Sequence, residues 1–161
     1  MDVVGYWGEA VGSADAARAL LAETGAQGLA GDLFVDGALG SRTAWLHEPY
    51  ADAPAGCTAP HGNAYLSTDA ITAHLMACTE AGITAGFHVI GDAAVTAVVE
   101  ALGVVVDQLG SVAVARCGHR LEHLEMVTDE QAAALGRWGV IASMQPAFDA
   151  LWGGPHGMYA Q

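Results

Sequence analysis

The chain contains no lysine. Its basic residues are five arginines against 18 Asp and Glu, which gives a formal net charge of −13 over 161 residues. Such an acidic surface repels phosphate backbones and anionic lipid, so neither nucleic acid nor a membrane is expected as a partner. Cysteine is scarce as well. Cys57, Cys78 and Cys117 form no CxxC pair, and one is left over if any two bridge, so they read as apolar thiols of a reducing compartment. No apolar run reaches the ~20 residues of a membrane span. The first twelve residues have no basic segment and carry Asp2 and Glu9, which does not fit a signal peptide. A cytoplasmic globular protein is the expectation. There is no internal repeat and no low-complexity segment. What the chain does have is apolar mass: 53% hydrophobic residues and a mean hydropathy of +0.34 suffice to fill the core of one domain.

Strand-like and helix-like patterns alternate. Val3 to Trp7 reads as a short strand with no earlier element to pair with. Ser13 caps a helix with Ala17, Leu20 and Leu21 on one face, and Gly25 ends it. Gly31 to Gly37 is an apolar run between turn residues and reads as a strand. Residues 38–64 show no period, and a connection this long is usually functional, so it is expected to be a substrate-side loop. A helix from about Ser67 to Gly82 follows, then the strand Thr84 to Val89. Asp92 opens a longer helix with Val95, Val98, Val99, Leu102 and Leu109 on one face. The strand His119 to His123, a capping box at Thr128 and Gln131, and a buried strand Val140 to Gln145 stopped by Pro146 complete the order. Phe148 to Tyr159 reads as a loop over the mouth of the sheet.

Such alternation gives α/β architecture with parallel strands. A closed (β/α)8 barrel takes roughly 250 residues, so this chain supplies about five of its eight units or else forms a smaller open sheet. His88 and His123 stand at the ends of successive strands, where ligands bind in such folds and where neutral imidazoles suit zinc. His119, four residues before His123, falls on the same face by simple alternation and is expected in the pocket too. Glu122 falls on the other face and is expected to pair with a neighbouring arginine. Asp92 reads as a helix cap, and Asp36 as a strand terminator or a site residue.

Four ordered motifs, Asp36-Gly37-Ala38-Leu39-Gly40-Ser41-Arg42-Thr43-Ala44, His88-Val89-Ile90-Gly91-Asp92-Ala93-Ala94, His119-Arg120-Leu121-Glu122-His123 and Gly139-Val140-Ile141-Ala142-Ser143-Met144-Gln145-Pro146, together resemble the metal-dependent amidohydrolase superfamily. The likeness is to the amidohydrolase-3 group, which includes N-substituted formamide deformylases. It implies part of a (β/α)8 barrel with a divalent metal, usually zinc, at the strand ends and hydrolysis of a non-peptide C–N bond in a small molecule. It also implies His88 and His123 as metal ligands, with Ser41, Arg42 and His119 beside the substrate. The strand-one HxH pair and the last-strand general-base aspartate of the group are missing, so no catalytic base is assigned. Asp32 stands where the group carries its bridging lysine, which leaves a mononuclear site, one in which Asp32 serves as a ligand, or Asp32 as a solvated strand start. On this reading the 161 residues are a fragment with little turnover of their own, and exposed sheet edges favour self-association. The rival expectation is a non-catalytic α/β module that binds a small molecule or a partner chain.

Overall fold

Helices and parallel strands follow one another along the chain and build an open sheet whose spatial order is its sequence order. The computed structural model of the chain describes residues 2–31 and 33–160, so Asp32 lies outside the described residues. The elements are α1 (Ala14–Thr24), β1 (Gly28–Leu29), α2 (Thr68–Ala81), β2 (Thr84–Val89), α3 (Asp92–Leu109), α4 (Ser111–Cys117), β3 (Arg120–His123), α5 (Asp129–Arg137), β4 (Ile141–Ser143) and α6 (Pro146–Trp152). The sheet runs β1-β2-β3-β4 with every pairing parallel. Tyr6 adds a parallel bridge to Gly28, so Val3–Trp7 finds its partner in the strand that follows it. The fold is therefore α/β, an arc of a (β/α)8-type barrel, with five parallel segments counting Tyr6.

Strand alternation divides the sheet into two faces. Ala85, Phe87 and Val89 of β2 and Leu121 of β3 point to the helices and are buried with Ile71, Leu75, Val95, Val98 and Leu102. Phe87 is fully enclosed, and burial of such a side chain contributes about 2 to 3 kcal/mol. Gly86, His88, Arg120 and Glu122 take the opposite face. There β2 and β3 approach closely, and a Cβ at Gly86 would strike the Arg120 carbonyl. Tertiary packing holds α3, whose valines have modest helix propensity.

Three expectations change, and one helix is added. The strand near Phe34 begins earlier, at Gly28, and is interrupted at Gly31, whose φ of 82° turns the backbone out of the ladder. It resumes at Phe34, which bridges His88. Past α3, Gly110 with φ 84° and ψ 147° breaks the chain and lets α4 form as a separate helix. The strand Val140 to Gln145 is not buried: Ile141 is 49% and Met144 52% exposed, because β4 pairs with β3 alone among the described residues. Pro146 opens α6 at its first turn, where a missing N–H does no harm, so Phe148 belongs to a helix and not to a loop. Among the described residues no single helix is long and apolar enough to cross a membrane. α3 and α4 reach that measure only jointly, bent by 118°.

The α5 cap is present as the sequence predicts. Thr128 Oγ1 accepts the Gln131 amide at 3.2 Å, and Gln131 Oε1 accepts the Thr128 amide at 3.0 Å. Thr128→Ala is expected to lower stability by about 1 kcal/mol. Urea unfolding checks this, and an unchanged midpoint would mean the cap contributes nothing.

Candidate active site

His88 and His123 meet at the carboxyl ends of β2 and β3. Their ring centroids are 4.6 Å apart and the planes cross at 70°. Parallel register pairs Val89 with His123 and His88 with Glu122, so His88 reaches the site by ordinary alternation. His123 does not. Alternation from Leu121 would send it to the helices, but φ is 70° at His123 and 48° at Leu124. Two consecutive non-glycine residues in the left-handed region are costly, on the order of 1 kcal/mol or more each. That backbone turn swings the imidazole towards His88. Leu124 holds it, with its amide on Val89 O at 2.9 Å and its side chain in the core.

Each ring commits one nitrogen to an oxygen that can only accept. His88 Nε2 donates to Gly37 O at 2.9 Å and His123 Nδ1 to Gln145 Oε1 at 2.7 Å. The lone pairs of His88 Nδ1 and His123 Nε2 are left without a hydrogen-bond partner among the described residues. Two neutral imidazoles oriented by carbonyl oxygens, with the other nitrogens free, suit a divalent metal. They account for two ligand positions. No group of three or more His, Cys, Asp or Glu side chains gathers into a metal cluster among the described residues.

Asp36 lies beneath the pair, fully buried, and its oxygens take the backbone amides of Ile90 at 3.0 Å, Gly91 at 2.7 Å and Trp45 at 2.9 Å. Burial, the largest influence, pushes its carboxyl above the usual range, and the three amides pull the other way. Asp36 is thus a junction between the 38–64 loop and the turn after β2, enclosed away from any ligand. Glu122 bonds Arg120 at 2.5 and 3.1 Å, and Arg120 also reaches Ser143. Burial raises the Glu122 carboxyl, but the bonds from Arg120 and Ser143 and the nearby charges outweigh it and hold it below the ordinary value.

The two histidines line different cavities. The larger, about 660 Å³, is bounded by the 38–64 loop, the end of β3 and α6, with Arg42, Tyr50, His123, Glu125 and Phe148 in its wall. The smaller, about 590 Å³, opens at His88 between Phe34, Ser41, Thr43 and Tyr65. Phe148 lies nearly parallel to His123, 13° between planes at 6.2 Å, and Trp152 and Tyr159 continue the aromatic series.

The sequence pattern of the Amidohydrolase family matches residues 6–160. The chain belongs to the amidohydrolase family. Among solved structures it is similar to an uncharacterized metal-dependent hydrolase from Pyrococcus furiosus, at 28% identity and a TM-score of 0.63, over 93% of this chain and 30% of that one. A second such hydrolase, from Pyrococcus horikoshii OT3, matches at 25% identity and a TM-score of 0.57, over 84% of this chain and 27% of that one. Protein LONG AFTER FAR-RED 3 of Arabidopsis thaliana is 29% identical over 117 residues, covering 70% of this chain and 18% of that protein. The chain thus spans less than a third of the length of each of these relatives.

Within this chain the residues assigned from sequence separate into groups. His88 and His123 come together. Arg42 lines the larger cavity but is tied by two hydrogen bonds to Asp52, and Ser41 lines the smaller one, bonded to Thr43 at 2.6 Å. His119 is corrected: it sits at the amino end of β3, 1% exposed, taking the Ala85 amide on Nδ1 at 3.0 Å and giving Nε2–H to Thr79 Oγ1 at 3.0 Å. It faces the helix side of the sheet in phase with Leu121, and His123 alone leaves the pleat, so the two histidines do not share a face. Asp92 does not cap α3 as expected: Gly91 is the N-cap and makes no side-chain cap bond, while Asp92 is the first helical residue and its Oδ1 takes the His47 and Ala93 amides. Sequence reasoning missed Gln145 and Phe148. The one signal for Gln145 was a polar side chain just before Pro146 at a strand end.

Proposed function

We propose that this chain is the part of a metal-dependent amidohydrolase that holds a zinc or similar divalent ion through His88 Nδ1 and His123 Nε2, and that the reaction is hydrolysis of a non-peptide C–N bond in a small amide-type molecule. The observation that carries the reading is that the facing imidazoles each bond a carbonyl oxygen through one nitrogen, His88 Nε2 to Gly37 and His123 Nδ1 to Gln145, which leaves the other nitrogen without a partner among the described residues. The donor set fits such an ion in chemistry, with two neutral nitrogens steadied by carbonyl oxygens. An ion bound there supplies a polarised carbonyl and a water ionised near neutral pH. The chain's own residues do the rest. His88 and His123 fix where that chemistry occurs, and Asp36 keeps the Gly37 carbonyl and the 38–64 loop in place beneath them. The larger cavity receives the substrate beside His123. Further ligands and a catalytic base are expected from strands that complete the barrel, in keeping with the 30% of the Pyrococcus furiosus chain that is matched. The 161 residues alone are expected to turn over little substrate and to self-associate through open sheet edges. A cytoplasmic setting suits the unpaired thiols.

Zinc titration by calorimetry near pH 7.5 tests the assignment. The expected result is one ion per chain, with His88→Ala and His123→Ala each weakening it about 100-fold, the loss of one imidazole ligand out of few. Equal, weak binding by all three proteins would reject the metal assignment and leave a non-catalytic binding module.

A further inference from the structure

Gln145 occupies the position that decides which nitrogen of His123 carries a proton. Its Oε1 is 2.7 Å from His123 Nδ1, and its Nε2 is 3.4 Å from the Ser143 carbonyl. The second contact orients the carboxamide, because only an N–H can face a carbonyl oxygen. A rotated amide would set oxygen against oxygen. With the amide oxygen facing the ring, Nδ1 must donate, and the lone pair falls on Nε2. The backbone supports this placement. Gln145 precedes Pro146, which restricts its conformation, and φ −115° with ψ 86° carries the chain from β4 into α6. Phe148, three residues on, lies nearly parallel to the His123 ring at 6.2 Å between centroids.

We propose that Gln145 is a positioning residue that locks His123 in the Nδ1–H tautomer and so selects Nε2 as the nitrogen open to a divalent ion. The consequence for metal binding rests on the function proposed above; the tautomer itself does not. A free imidazole side chain in water prefers the opposite form, with the proton on Nε2, so without Gln145 the ring is expected to relax to it.

The test is long-range proton–nitrogen correlation NMR of the metal-free, ¹⁵N-labelled chain near pH 8, for wild type, Gln145→Leu and Gln145→Glu. Wild-type His123 is expected as Nδ1–H. Gln145→Leu is expected to shift it largely to Nε2–H, and Gln145→Glu, whose carboxylate accepts the same proton, to restore it. His119, held as Nε2–H by Ala85 and Thr79, reports in the same spectra that each variant is folded. Competition with a chromophoric zinc chelator gives the second readout, with about tenfold weaker binding for Gln145→Leu and none of that loss for Gln145→Glu. Wild-type His123 found as Nε2–H, or a folded Gln145→Leu chain with tautomer and zinc affinity unchanged, would overturn the proposal. A tautomer that moves as expected in a chain where no form binds zinc would uphold the lock and sink the metal assignment instead.

Discussion

Asp36→Ala is expected to destabilise the fold by about 4 kcal/mol, a large share of the 5 to 15 kcal/mol typical of a domain. Three amides lose their acceptor together, those of Ile90 and Gly91 buried and that of Trp45 partly so. Each unsatisfied donor costs about 1 to 3 kcal/mol, and relief from enclosing a carboxyl group offsets part of the total. Damage is expected to spread beyond the position, since those amides join the 38–64 loop to the turn between β2 and α3. Gly91 lies so close under the loop that a Cβ there would meet the Trp45 carbonyl, which leaves no slack for repair. Asp36→Asn separates shape from chemistry. It keeps the volume but turns an NH2 group towards donors, and it is expected to recover less than half of the loss. Urea unfolding with hydrogen exchange at Ile90 and Gly91 measures both effects. A midpoint for Asp36→Ala within 1 kcal/mol of wild type would show that the junction contributes little.

Acid is expected to weaken the protein well before its carboxylates are neutralised. Burial, followed by the neighbouring His74, depresses the His119 pKa from 6.5 to about 4. A histidine depressed in the folded state binds fewer protons folded than unfolded. Its effect is therefore absent above the unfolded value of 6.5, and stability falls as pH drops from there to about 4. The loss is about 3 kcal/mol at the lower end. Burial lowers the His74 pKa as well, so its contribution has the same sign. It accepts the Val11 amide at 3.1 Å and donates to Leu29 O at 3.0 Å, bonds that require the neutral ring. Unfolding midpoints from pH 8 to pH 4 are expected to fall steeply below pH 6.5. His119→Gln, which can accept from Ala85 and donate to Thr79 without titrating, is expected to flatten that fall. An unchanged slope in the variant would place the acid sensitivity elsewhere.

The parts of this fold legible in the sequence are those set by local chemistry. Ser13, Ser67 and Thr128 cap helices where their position before apolar periods says they should, and Gly25 and Gly82 end them in the left-handed conformation. The alternation of strands and helices could be read from the change of hydrophobic period, and with it the two histidines at strand ends. What stayed hidden depends on backbone turns at residues that do not advertise them. Gly31 reads as the start of a strand and nothing reads as an element between Leu109 and His119, so the pairing of Gly28 and Leu29 ahead of Gly31 and the separate α4 after Gly110 were not seen. His123 and Leu124 adopt a conformation that favours glycine, and no residue pattern announces it. That one turn explains why His123 enters the site, whereas His119 stays on the helix side with Leu121 by ordinary alternation. Gln145 escaped notice for a different reason: its partner is 22 residues away and on another strand.

β3 is four residues long, and the two histidines at its ends live under opposite conditions. His119 is sealed among partners that permit one protonation state, and His123 borders an open cavity on a backbone that only Leu124 and its packing restrain. Durability and chemistry are therefore inherited through different rims of the same sheet. Side chains around the cavity can change without disturbing the sealed rim, whereas changes near Thr79 or Ala85 are expected to alter tolerance to acid. Changes to the cavity wall and changes to acid tolerance can therefore accumulate in this protein with little interference between them.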